Sequence, residues 1–161
     1  MELWDAFDKD GNLIDGAVLR RGEDIPEGMY HLVSDVLVRH RDGSCLLMQR
    51  DPRKKWGGMW EATAGGSALR GETAQDCALR ELREETGIRA VSLREVGRVA
   101  SNDTIYAEFL CVTDCEKNSV TLQPGETVDF RWVSREELIT MDKDELLTSR
   151  MQHFIRELRP E

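Results

Sequence analysis

The order of hydrophobic patterns along the chain predicts an α/β fold, a mixed β-sheet with helices on its faces. Three observations carry this reading. Short apolar runs separated by turn formers fill the N-terminal part; one well-delimited helix follows at 73–86; strand patterning then returns before a helical C-terminal stretch. At 161 residues the chain has the size of one ordinary domain, able to bury a core without disulfides.

The elements follow in order. Leu3–Phe7 and the run 13–19 flank Asp8-Lys9-Asp10-Gly11-Asn12, a segment dense in turn formers, and read as a hairpin. The twelfth position from Asp8 is Leu19 rather than a bidentate glutamate, so this is a turn and not a calcium loop. A polar connector with Pro26 closes the segment, so hairpin 1–28 is expected to pack on the rest of a single domain, 1–161. Runs 30–38 and 45–49 flank His40-Arg41-Asp42-Gly43 and are expected to pair as neighbours. A basic, glycine-containing loop at 51–58 precedes one strand at 59–64. After the helix, 91–100 and 104–112 read as strands joined at Ser101-Asn102-Asp103, and 128–133 as another. Ser134-Arg135-Glu136-Glu137 has the form of a capping box. Met151, Phe154, Ile155 and Leu158 recur at helical spacing before Pro160.

Composition excludes several classes. The net charge is −9, which argues against stable nucleic-acid binding, because phosphate backbones are gripped by basic surfaces. An acidic protein still binds phosphates when a metal cation stands between the two anions. No apolar run approaches the ~18 residues that span a bilayer, and the N-terminus has no basic-then-apolar pattern. Cys45, Cys77, Cys111 and Cys115 make no zinc spacing and read as small buried thiols, as in a reducing cytoplasm.

The helix at 73–86 carries the chemistry. At about 100° per residue, Glu81, Glu84 and Glu85 share an arc of roughly 100°, with Ala78, Leu79 and Leu82 on a separate packing face. The small Ala74 and Cys77 fall in the acidic arc and are expected to leave room beside Glu81 for an ion. Clustered carboxylates repel one another at i,i+3 and i,i+4 spacing, and near a helix C-terminus the dipole adds to the penalty. A hard divalent cation, Mg²⁺ or Mn²⁺, relieves both.

The stretch from Gly66 to Ile88 resembles the Nudix box, Gly-x₅-Glu-x₇-Arg-Glu-U-x-Glu-Glu-x-Gly-U with U aliphatic. Gly66, Glu72, Arg80, Glu81, Leu82, Glu84, Glu85, Gly87 and Ile88 fill every specified position. The resemblance implies an α/β/α sandwich that hydrolyses a diphosphate linkage in a small molecule, a nucleoside di- or triphosphate or a nucleotide conjugate. It implies Glu81, Glu84 and Glu85 as metal ligands or catalytic carboxylates, with Arg80 orienting a glutamate. Gly66 and Gly65 would let the backbone bend, Glu72 would brace the loop, and Gly87 would end the helix. It further points to Arg50, at a strand end, as a phosphate contact, and to Glu126 as a further metal ligand or base. Trp56 and Trp60 either stack on a substrate base or isoprenoid or pack in the core. Trp60 is carried as a substrate contact.

The segments Leu3-Trp4-Asp5-Ala6-Phe7-Asp8 and Gly22 to Val33 look like the branch related to isopentenyl-diphosphate isomerase. That enzyme's cysteine, in a Cys-x-His-Pro segment, has no counterpart in Trp60-Glu61-Ala62-Thr63-Ala64-Gly65-Gly66-Ser67. Hydrolysis is therefore expected. Isomerisation and non-catalytic nucleotide binding are the alternatives, and the sequence leaves the oligomeric state open, a homodimer included.

Overall fold

The structure is a computed structural model, and it describes residues 1–142, 144–146 and 154. Strands β1 (Leu3–Phe7) and β2 (Leu13–Arg20) form the expected antiparallel hairpin. Its turn is closed by the Asp8 carboxylate, which accepts from the backbone N–H groups of Asp10 and Asn12, both at 2.9 Å. The hairpin has its own small cluster around Trp4, Ala6 and Leu19.

Among the described residues the main sheet has seven strands: β3 (His31–His40), β4 (Cys45–Arg50), β5 (Trp60–Glu61), β6 (Ala64–Ser67), β7 (Ser92–Ser101), β8 (Thr104–Thr113) and β9 (Thr127–Val133). It is mixed. β3 runs parallel to β8 from His31↔Thr104 to His40↔Thr113, and its other pairings are antiparallel. Side chains alternate across β3 with the period of two that a strand imposes. Val36 and Val38 face α1 (Ala74–Thr86), together with Leu46, Met48, Ala78 and Leu82. Leu37 faces the opposite core, where Leu47, Leu110 and Val133 meet Leu138 of α2 (Arg135–Thr140) and Phe154. Helix, sheet and helix thus stack in three layers, as expected. The Ser134 side chain caps α2 by accepting from the Glu137 N–H at 3.0 Å. Of the expected C-terminal helix, Phe154 is helical and buried, whereas Met151, Ile155 and Leu158 lie outside the described residues.

β3 and β4 pair as expected, at the hairpin end, through Val38↔Leu46 and Arg39↔Cys45. Beyond that point the sheet forks. The single strand expected at 59–64 is two pieces: β5 pairs with β4, and β6 pairs with β3. Thr63 sits buried at the fork, its hydroxyl accepting from the Val38 N–H at 2.9 Å and donating to the Leu46 carbonyl at 2.7 Å. One side chain thereby satisfies backbone groups of both diverging strands, which no longer reach each other.

Candidate active site

Helix α1 is fixed at both ends. Thr73 and Asp76 form a reciprocal capping box, and Gly87 ends the helix at φ 73°, donating its N–H to the Arg83 carbonyl at 2.9 Å. Between these caps Ala74, Cys77, Ala78, Leu82 and Glu85 are buried, while Leu79 is exposed. The buried face is therefore turned from the expected one and cuts into the carboxylate arc. Glu85 lies on it, Glu81 at its edge and the half-exposed Glu84 outside it. Ala74 and Cys77 are both buried against the sheet. Their small size lets α1 approach the sheet, so that Ser34 Oγ reaches the Ala74 carbonyl at 2.8 Å and Cys77 Sγ the Gly66 carbonyl at 3.3 Å.

Arg80 ties the helix to the loop before it. Its Nε and Nη2 donate to the two Glu72 oxygens at 2.7 and 2.9 Å, and Nη2 also reaches the Ser67 carbonyl at 3.0 Å. Nη1 donates to Glu81 at 2.6 Å and to Glu84 at 3.3 Å. Glu72 also accepts from the Leu69 N–H at 2.8 Å, and the Arg80 guanidinium holds its carboxyl below the usual range.

The two glycines act differently from the expected bend. Neither Gly65 nor Gly66 has positive φ; both lie in β6, paired with Asp35 and Ser34. What they supply is space. A Cβ on Gly66 would lie 2.3 Å from Glu81 Oε1, and one on Gly65 would lie 2.3 Å from Asp35 Oδ1. The missing side chains let the Glu81 and Asp35 carboxylates lie against the strand.

Beside β6 opens a cleft of about 130 Å³ lined by Asp35, Glu61, Glu85 and Glu126 and by two cations, Arg50 and Lys54. Arg50 is largely buried and doubly engaged with Glu61, at 3.0 and 2.8 Å, while its Nε donates to the Lys55 carbonyl. Lys54 pairs with Glu126. Burial first, then the charges of Glu81, Glu61 and Glu126, push the Glu85 carboxyl up to about 9, against the opposing charge of Lys54. Burial likewise raises Glu81, against the pull of Arg80.

The expected site residues thus divide. Arg50, Glu85 and Glu126 line the cleft, Glu81 lies against Gly66, and Glu84 turns toward solvent. Trp60 is on the other face of β5, packed on the second core with the Arg131 guanidinium 4.7 Å from its ring. Trp56 is exposed. Sequence reasoning passed over Glu61 and Asp35. Alternation in the short β5 was the available signal for Glu61, since a partly buried Trp60 turns its neighbour to the opposite face. Asp35 sits in a run buried on both faces, where periodicity gives no sign.

Among the described residues, no three acidic, histidine or cysteine side chains converge on a single point. Glu81 and Glu84 are drawn to Arg80, and Glu126 to Lys54. The donor set still suits a hard cation. It is all carboxylate oxygen, and the cleft crowds several negative charges about a buried Glu85.

The family model described as "NUDIX domain" matches residues 29–158. The chain belongs to the Nudix family. An uncharacterized Nudix hydrolase of Listeria monocytogenes is 34% identical over 141 residues, 86% of this chain and 83% of that protein. The CTP pyrophosphohydrolase of Escherichia coli is 36% identical, covering 69% of this chain and 80% of the relative. An isopentenyl-diphosphate Delta-isomerase of Cereibacter sphaeroides is 32% identical, with 69% and 67% covered, in keeping with the branch resemblance. The fold agrees with the DR0079 structure from Deinococcus radiodurans, with a TM-score of 0.78 at 16% identity over 99% of this chain and all of that one. Nudix membership makes this a hydrolase-type chain of α/β/α architecture. No helix among the described residues is long and apolar enough to cross a membrane.

Proposed function

We propose that this Nudix protein hydrolyses a diphosphate linkage in a nucleoside di- or triphosphate or a nucleotide conjugate, with Mg²⁺ or Mn²⁺ as cofactor. The observation that carries this reading is one cleft in which Glu85, Glu61, Glu126 and Asp35 face Arg50 and Lys54, with Glu81 lying against Gly66, the residue after the cleft-lining Gly65. Glu85, Glu126 and Glu81 would hold the cation, with Glu84 at the solvent side. When bound, the cation supplies charge neutralisation at the phosphate oxygens and activates water.

The chain's own residues do the rest. Arg50 and Lys54 provide positive charge for a diphosphate in an otherwise acidic cleft. Arg80 sets the position of Glu81 and holds the loop through Glu72. The proton of the attacking water would pass to one of the carboxylates around the cleft. The name of the Escherichia coli relative supports a nucleotide as substrate.

The isomerase-named relatives favour a second reading, double-bond migration in a prenyl diphosphate. The cleft speaks against it. None of its lining residues is a cysteine, and the Cys77 thiol is pushed by burial up to about 11 and bonds to Gly66 instead.

The test is turnover across a panel of nucleotide and prenyl diphosphates. Phosphate or nucleotide release is expected to stop in EDTA and return with Mg²⁺ or Mn²⁺. Glu85→Gln is expected to lower kcat by about 10² or more. Metal-independent release, or full activity in the variant, would overturn the assignment. Isomer formation without release would replace it with the second reading, and nucleotide affinity without turnover would mark a binding protein.

A further inference from the structure

The two cations of the cleft are held in different ways. The Arg50 guanidinium is 13% exposed and fixed by two hydrogen bonds to Glu61 and one to the Lys55 carbonyl. Lys54 is 32% exposed, and the partner of its ammonium among the described residues is Glu126. Its backbone, by contrast, is anchored: its N–H donates to the Asp51 carbonyl at 3.0 Å, and the Asp51 N–H donates to the Glu126 carbonyl, also at 3.0 Å. The two loops that carry Lys54 and Glu126 are therefore clasped through their main chains. The ammonium, on a flexible stem of methylenes, can change partner without either loop moving.

Glu126 is also one of the cleft carboxylates proposed to hold the cation, and Lys54 now neutralises it. Two positive charges cannot share that oxygen without mutual repulsion in a partly desolvated cleft. We propose that Lys54 is a resident counter-ion that holds Glu126 in the metal-free protein and, once a divalent cation is bound, transfers its ammonium to the anionic end of the substrate. This rests on the hydrolase reading above and adds to it an exchange: the same side chain opposes metal binding and promotes substrate binding. Arg50 cannot make this exchange, because leaving Glu61 would strand a largely buried carboxylate.

Lys54→Met, which keeps the length of the side chain and removes its charge, separates the two effects. Mn²⁺ binding to the protein alone, followed by isothermal titration or electron paramagnetic resonance, is expected to tighten about two- to fivefold. The KM for a nucleoside diphosphate at saturating Mn²⁺ is expected to rise on the order of tenfold, and Lys54→Arg to restore most of it. In EDTA the variant is expected to melt below wild type, since a cation has left an acidic cluster, and saturating Mn²⁺ is expected to close that gap. Mn²⁺ affinity that is unchanged or weaker in Lys54→Met, with wild type binding Mn²⁺ normally, would overturn the exchange and leave the hydrolase reading intact. Failure of wild type to bind Mn²⁺ at all would remove both.

Discussion

Glu85 occupies a position on α1 that spacing would give to a core side chain, between the buried Cys77, Ala78 and Leu82 and the sheet. Its carboxyl is raised from the ordinary 4.5 to about 9, first by burial and then by Glu81, Glu61 and Glu126. The sign of the consequence is definite. The folded state holds this proton more tightly than the unfolded chain does. The resulting destabilisation is absent at low pH, grows as pH rises above about 4.5, and is complete once pH passes 9. Metal-free wild type is therefore expected to melt at lower temperature at pH 8.5 than at pH 6, with Glu85→Gln flattening that decline and melting higher at pH 8.5. Saturating Mn²⁺ should help wild type and do little for the variant. A calorimetric scan in EDTA showing Glu85→Gln less stable at pH 8.5 would contradict this account. At this scale the sequence was informative about residue types. Helical spacing put Glu81, Glu84 and Glu85 on one arc, yet could not say where the core face begins, and so misjudged Leu79, Ala74 and Cys77.

The elements themselves were legible wherever a local signal marks a boundary. Thr73 and Gly87 delimit α1 because a cap is a matter of a few neighbouring residues. The fork in the sheet left no such mark, because alternation reports which face a side chain takes and not which strand lies beside it. Thr63 is what the fork depends on. Its hydroxyl serves one backbone donor and one backbone acceptor on strands that are parting, and both lie in the interior. Thr63→Val keeps the shape and removes both bonds, with an expected cost of about 2–3 kcal/mol in urea unfolding. Activity should fall as well, because β5 carries Glu61 and β6 carries the glycines that admit Glu81 and Asp35. A variant within about 0.5 kcal/mol of wild type, the ordinary range for a surface change, would show that water or other groups replace the hydroxyl.

Across the whole molecule, the N-terminal hairpin bears on chemistry that its sequence does not contain. It lies before the matched Nudix region, and the long parallel pairing of β3 with β8 that carries the core does not include it. The β3–β8 pairing was not legible, since it joins segments far apart in the chain. The hairpin nonetheless grips the loop that leads into α1. The Arg70 N–H donates to the Leu3 carbonyl at 2.9 Å, and the Gly71 N–H donates to Asp5 Oδ2 at 2.7 Å. That loop presents Glu72 to Arg80, and Arg80 in turn holds Glu81. A continuous set of contacts thus runs from Asp5 to a carboxylate of the proposed site, and such sets transmit effects of about 0.5–2 kcal/mol. Asp5→Ala is expected to lower kcat about fivefold with little change in KM. The melting temperature should barely shift, because water can take over an exposed N–H. Asp5→Asn keeps an acceptor for Gly71 and is expected to recover most of the loss. If alanine left kcat untouched, or asparagine did no better than alanine, the hairpin would be a covering of the domain and not a support for its site.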